Sequence, residues 1–200
     1  MSEEINNNSS DNISSGNNKS GKARAVIREL LVYGVIILVF VFLVPRYVFQ
    51  LTIVDGESMT DTLQDNDRLF VEKVSYRFGD PDRFDIIVFY PFGRDDPDDY
   101  YVKRIIGLPG ETVQIIDSVI YINNEPLSEN YRKEPYMAYN GIANEPLLLG
   151  EDEYFVLGDN RNGSTDSRDP DTGPVKRENI DGRVVLRVYP FDEFGLMTDK

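Results

Sequence analysis

Hydrophobic positions follow two regimes along the chain. From Leu30 to Pro45 the sequence LLVYGVIILVFVFLVP carries no charge and no alternation, so as a helix it is apolar on every side. With Tyr47 to Phe49 the run reaches roughly 20 residues, about 30 Å of helix, the thickness of a hydrocarbon core. Lys19, Lys22, Arg24 and Arg28 precede it, and Arg46 sits at its far end. This pattern predicts one transmembrane helix over residues 26–49, with the N-terminus cytoplasmic, Arg46 snorkelling outward and Tyr47 and Phe49 at the interface. A cleaved leader needs a small-residue cleavage site, and VPRYVFQ offers none. Before the run, Asn and Ser fill 12 of the first 20 positions. Such a segment cannot bury enough apolar surface to offset its ordering entropy, so residues 1–25 are expected to be a disordered cytoplasmic tail.

After residue 50 the period shortens. QLTIV, DRLFVEKVSY, DIIVFY, YYVKRIIGL, TVQIID, SVIYINNEPL, EYFVLGD and GRVVLRVYPF are short and rich in Val, Ile, Tyr and Phe. Turn-forming stretches separate them: FGDPDRFD, PFGRDDPDD, LPGE and GDNRNG, with a hairpin turn at INNEPL. No long amphipathic helix interrupts them. The fold class expected is mainly β, antiparallel sheets and hairpins without parallel βαβ units, following one N-terminal transmembrane helix. Residues 50–200 form this β-rich domain, with about 117–150 set apart as a smaller subdomain.

Composition removes several chemistries. The chain has no Cys, no His and no Trp. Disulfides, a thiolate nucleophile and a Ser-His-Asp triad are therefore excluded, and a catalytic zinc site would have only carboxylates as strong ligands. Any proton carrier must be Lys, Asp, Glu or Tyr. No cofactor and no metal are implied. The net charge of −14 lies beyond residue 50, where the balance is −15 against +1 before it, and no Lys/Arg run appears, so nucleic acid is not an expected partner. Acidity of this kind serves solubility first.

Three segments carry chemistry. VDGESMTDTL places Ser58 in a turn straight after a strand, with Gly56 allowing close backbone approach. YYVKRIIGLPGE places Lys103 in a strand among aromatic and β-branched residues, with Tyr101 and Ile105 on its face and Arg104 on the other. A free lysine is protonated at neutral pH all but about one part in a thousand, so Lys103 becomes a base only if burial lowers its pKa, at about 3–4 kcal/mol for a shift of 2–3 units. The plain alternative is a lysine guarding an edge strand. GDNRNGSTDSRDPDTGPV is a long polar loop in which Asp159, Arg161, Asp166 and Arg168 are placed to lock the path by ion pairs, with Ser164 and Ser167 as hydrogen-bonding groups. Asp171-Thr172-Gly173 matches the aspartic-protease triplet, but it lies between Pro170 and Pro174 with no second copy and is set aside.

Taken in order, these segments resemble the type I signal peptidase family. The likeness rests on a span, then Ser-Met-x-x-Thr-Leu, then Asp-Ile-Ile-Val-Phe, Lys-Arg-Ile-Ile-Gly-Leu-Pro-Gly, Gly-Asp-Asn-Arg…Ser-x-Asp-Ser-Arg and the tail IDGRVVLRVYPFDEFG, and covers about residues 25–196. It implies a membrane-bound serine endopeptidase with an extracytoplasmic catalytic domain. Its substrates would be exported preproteins whose signal peptides lie in the lipid bilayer, cut after small residues. It implies Ser58 as nucleophile, Lys103 as general base, Ser164 holding the lysine amine, Asp166 and Arg168 as a supporting ion pair, and Asp159 and Arg161 bracing the loop. The Ser58 N–H would serve the oxyanion. A side-chain donor found in some members two residues before the nucleophile is missing, since that residue is Gly56.

Two departures stand out. The family's usual Pro is Asp61 here, and the loop carries about two extra residues within Asp169 to Thr172. Asp61 keeps a rival reading open, a catalytically impaired membrane-tethered β domain that binds a partner. A self-cleaving Ser/Lys repressor would need a DNA-binding head where this chain has a span.

Overall fold

The structure is a computed structural model that describes residues 17–60, 62–95, 100–131 and 134–197. The chain divides after Pro45 into two compact units.

The first unit is a helix, α1, over Asn17–Leu38, followed by a widened π-helical turn, Val39–Leu43. The π turn has a local cause. Pro45 has no N–H to donate, and the Val44 N–H reaches back to Val39 O, one residue further than in an α-helix. The apolar helical stretch long enough to cross a membrane runs from Lys22 to Tyr47, and none of it is buried. The expected boundaries need two corrections. Helix already covers residues 17–25, because a nucleated helix propagates at one hydrogen bond per residue and Lys, Ala and Arg are good helix formers; residues 1–16 lie outside the described residues. At the other end Phe49 belongs to the first strand, where it pairs with Glu72 and stacks on Phe70 at 4.7 Å between centroids.

In the second unit the strands are β1 (Phe49–Ile53), β2 (Arg68–Glu72), β3 (Ile86–Phe89), β4 (Tyr101–Gly107), β5 (Thr112–Ile116), β6 (Val119–Ile122), β7 (Glu125–Pro126), β8 (Leu147–Leu148), β9 (Glu153–Leu157), β10 (Val175–Lys176), β11 (Ile180–Tyr189) and β12 (Gly195–Leu196). Every pairing is antiparallel. The main sheet runs β1-β2-β11-β3-β4-β9-β10, with β12 added on β11. A second sheet runs β7-β6-β5-β8 and lies in the same compact unit. Its hairpins have the expected chemistry. Asn123 and Asn124, at φ 53° and 68°, form the two-residue turn between β6 and β7, and Asp117 and Ser118 do the same between β5 and β6.

Strand β4 explains the most. It is hydrogen-bonded to β3 on one side and β9 on the other, so the edge-strand explanation of Lys103 does not hold. Apolar side chains cover both faces of it. Val102 joins a core with Val54, Met59, Leu63, Leu69, Val71, Ile86, Val88 and Val184. Ile105 joins Tyr76, Ile87, Phe89, Tyr154 and Val156, and Ile106 joins the core beneath the second sheet. Apolar burial on both faces is what makes a charged residue on this strand expensive.

Candidate active site

Ser58 is carried on a turn whose next residue is a core anchor. Met59 and Leu63 are fully buried, and Thr62 N–H and Leu63 N–H both donate to Met59 O, at 3.0 and 2.8 Å. Upstream, the chain from Val54 to Gly56 is fixed to the turn at 65–67. Val54 N–H donates to Asp67 O, Asn66 N–H to Val54 O, and Gly56 N–H to Asp65 Oδ1, each at 2.9 Å. Gly56 has φ +95°, which explains a glycine at this point. The Ser58 N–H makes no hydrogen bond among the described residues and so remains available as a donor.

Lys103 lies opposite Ile87 in the ladder, with Tyr101 on its own face. Its Nζ donates to Ser58 Oγ at 2.8 Å and to Val102 O at 3.1 Å, and stands 5.0 Å from the centre of the Tyr101 ring. The residue is 4% exposed. Burial pushes its pKa down from 10.5, against the opposing pull of Asp166 and Asp159, to about 8. The pair opens on a cleft of about 410 Å³, lined by Val54 to Met59, Tyr100 to Lys103, Gly163 and Thr165.

The loop after β9 holds this pair in place. Asn160 clamps the turn that carries Ser58, its N–H donating to Ser58 O and its Nδ2 to Glu57 O, both at 3.1 Å. Asp166 accepts from Arg168 Nε and Nη2 at 2.8 and 2.9 Å and from Gly158 N–H at 3.1 Å. Asp159 and Arg161 find their ion-pair partners outside the loop. Asp159 pairs with Arg104 on β4, at 2.9 and 2.7 Å, and accepts from Thr62 Oγ1. Arg161, 1% exposed, pairs with Glu129. A buried charge left alone would cost several kcal/mol, so these contacts are a condition of the loop's path.

The hydrogen bond from Lys103 to Ser164 is not formed. Ser164 Oγ is shielded from solvent and has no partner, while Nζ uses Ser58 and Val102. The cause is packing against Gly158. A Cβ on that glycine would lie 2.3 Å from Ser164 Oγ and 2.4 Å from Ser58 O, so the hydroxyl sits in the notch that the missing side chain leaves. The residues after Arg168 close on themselves, with Gly173 N–H donating to Asp169 O at 2.8 Å, and Asp171 is exposed. Asp61 lies outside the described residues. Sequence reading placed Arg104 on the correct face but without a role, and it missed Glu129, Thr62, Asn160 and Gly158. The Arg104 and Asp159 motifs are each visible in sequence; Glu129 carries no signal, because its partner is set only by the second sheet's position.

Among the described residues no three His, Cys, Asp or Glu are grouped to hold a metal ion. Comparison with known proteins gives one family. The model described as signal peptidase, peptidase S26, matches residues 27–189. A signal peptidase I of Leptolyngbya laminosa is 43% identical over 157 residues, 76% of this chain and 74% of that protein. A signal peptidase I of Bacillus licheniformis is 37% identical over 165 residues, 80% of this chain and 87% of that protein. A crystal structure of a signal peptidase I from Enterococcus faecalis V583, 38% identical, has a TM-score of 0.42 and covers 53% of this chain and 97% of that one.

Proposed function

Because the chain belongs to the signal peptidase family, peptidase S26, we propose that it removes signal peptides from exported preproteins with Ser58 as nucleophile and Lys103 as general base. One observation carries the reading: a lysine amine, 4% exposed and with its pKa lowered to about 8, lies 2.8 Å from a serine hydroxyl in an open cleft. An amine so placed is neutral in a useful fraction of molecules near neutral pH, whereas an ordinary lysine is not.

The chemistry follows as acyl transfer. The neutral amine accepts the Ser58 proton as Oγ attacks the scissile carbonyl. The resulting oxyanion takes a hydrogen bond from the Ser58 N–H. The Lys103 ammonium then returns the proton to the leaving amine, the C–N bond breaks, and the mature protein departs. Water, deprotonated by the same amine, hydrolyses the acyl-enzyme and frees Ser58. Ser164, beside the Ser58 carbonyl and with an unused hydroxyl, is the group suited to accept from the ammonium once it forms. Asp166 with Arg168, and Asp159 with Arg104, hold the walls still.

The apolar helix is the membrane anchor in this reading. It crosses once, and the basic residues before it place the N-terminus in the cytoplasm and the β unit outside. The preprotein and the lipid bilayer are the partners. The test is to incubate the purified protein with a preprotein and sequence the new N-terminus. Cleavage after a small residue is expected, and Ser58→Ala or Lys103→Met should each abolish it. Full activity in either variant would remove the Ser/Lys assignment.

A further inference from the structure

The cleft has a charge of its own. Of its lining residues only Asp55, Glu57 and Lys103 are ionisable at physiological pH, and Lys103 is the amine already described as depressed. Asp55 and Glu57 are exposed, and neither carboxylate has a hydrogen-bond or ion-pair partner among the described residues. Most acidic groups of the β unit with a structural role are paired. Asp67, Asp85, Asp159, Asp166 and Asp181 all meet an arginine or lysine. The two cleft carboxylates therefore keep their attraction for a positive charge that enters and their repulsion of a negative one.

They are also held at a fixed place. Both belong to the segment between Val54 and Met59, which is tied upstream to the 65–67 turn and downstream to Asn160. Glu57 is the residue before the nucleophile, and Asp55 is three before it. Successive Cα atoms are about 3.8 Å apart, and an extended substrate advances about 3.3–3.6 Å per residue. The two carboxylates thus reach substrate side chains within about two or three positions of the bond that Ser58 attacks.

We infer that Asp55 and Glu57 form an electrostatic selectivity rim: the enzyme favours substrates with a basic side chain within three residues of the scissile bond and discriminates against an acidic one there. The inference rests on the peptidase reading above and adds a charge preference to it. Exposed pairs are individually weak, so two together give a preference of about three- to tenfold for Lys over Glu. At such distances the attraction is screened by salt, since the Debye length falls from about 8 Å at 0.15 M to about 3 Å at 1 M.

The experiment uses the full detergent-solubilised chain and three sets of signal-peptide substrates, identical except for Lys, Ala or Glu placed singly at the second residue before the cut and the first and second after it. The readout is kcat/KM, taken as the Lys/Glu ratio at each position within one enzyme. Wild type should give a ratio of three or more at one position at least, falling towards one at 1 M NaCl. In the Asp55→Asn, Glu57→Gln double variant the ratio should fall towards one at low salt, whatever happens to the absolute rate. A wild-type ratio near or below one at all three positions overturns the inference while cleavage of the Ala substrates upholds the peptidase reading. A salt-sensitive ratio that survives in the double variant also overturns it, since another group would then be responsible. If the double variant is inactive, the wild-type ratio and its salt dependence decide. No cleavage of any substrate, Ala included, overturns the peptidase reading and this inference with it.

Discussion

A lysine whose ammonium is stripped of water inside a protein should weaken the fold that holds it, and Lys103→Met measures by how much. Methionine is close in length, carries no charge and needs no hydrogen bond. The folded pKa of about 8 against an ordinary 10.5 corresponds to about 3 kcal/mol of destabilisation at neutral pH. Removing the amine also removes its hydrogen bond to Ser58, a loss of about 1 kcal/mol. Ser58 itself is only half-buried and can turn to water. The variant should therefore be more stable than wild type by about 2 kcal/mol at pH 7. The sign fixes the pH dependence. The folded pKa lies below the unfolded one, so between about 8 and 10.5 the unfolded chain holds the extra proton and wild-type stability rises with pH. The destabilisation is complete below pH 8 and gone above 10.5. The gap between variant and wild type should shrink by about 2 kcal/mol from pH 7 to pH 10, because every other group titrates equally in both. Urea unfolding of the detergent-solubilised chain at the two pH values reads this as a midpoint shift of about 1 M that disappears. A variant less stable than wild type at pH 7, or a gap independent of pH, would falsify the picture of a strained, desolvated amine.

The same amine sets the rate profile: kcat/KM should rise with pH through about 8 and level off above it, and a limb above pH 10 would mean an ordinary lysine. Gly158→Ala should lower cleavage at least about 100-fold with the fold retained by circular dichroism, because its Cβ would displace Ser164 and the Ser58 carbonyl. Glu129→Ala should lower unfolding free energy by about 3–5 kcal/mol in urea titration, since it strips the buried Arg161 of its carboxylate. EDTA should leave the cleavage rate unchanged, the chain having neither His nor Cys and no grouping of acids suited to a metal among the described residues.

Much of this was legible in the residues themselves. The uncharged run from Leu30 reads as a helix by its length and apolarity, and the Val/Ile/Tyr segments with Asn-Asn and Gly punctuation read as strands and tight turns. The Ser58 and Lys103 segments stood out by type and motif, since a chain without His offers few side chains as a candidate base. What sequence could not supply was adjacency. Whether β4 is interior or at an edge depends on β9, which lies some fifty residues further on, and burial of Lys103 depends on that placement. The loop's ion pairs were expected within the loop because local pairing is what a sequence displays, yet Asp159 and Arg161 are met by Arg104 and Glu129 from other elements. Ser164 shows the finer limit: its motif placed it near the lysine, while the notch over Gly158 decided where its hydroxyl rests.

The second sheet looks dispensable when only the Ser58–Lys103 pair is considered, since neither residue belongs to it. Its relation to the loop says otherwise. Arg161 is closed in completely, and the carboxylate that neutralises it stands just beyond the β6–β7 hairpin, while the adjoining stretch gives Tyr131 to the Arg104 guanidinium at 4.0 Å and the Tyr139 carbonyl to Arg168. Excising that sheet to make a smaller protein would strand the Arg161 guanidinium in the interior and take a ring from Arg104 and a carbonyl from Arg168. Miniaturisation would have to begin by redesigning the arginines, not by trimming the insertion.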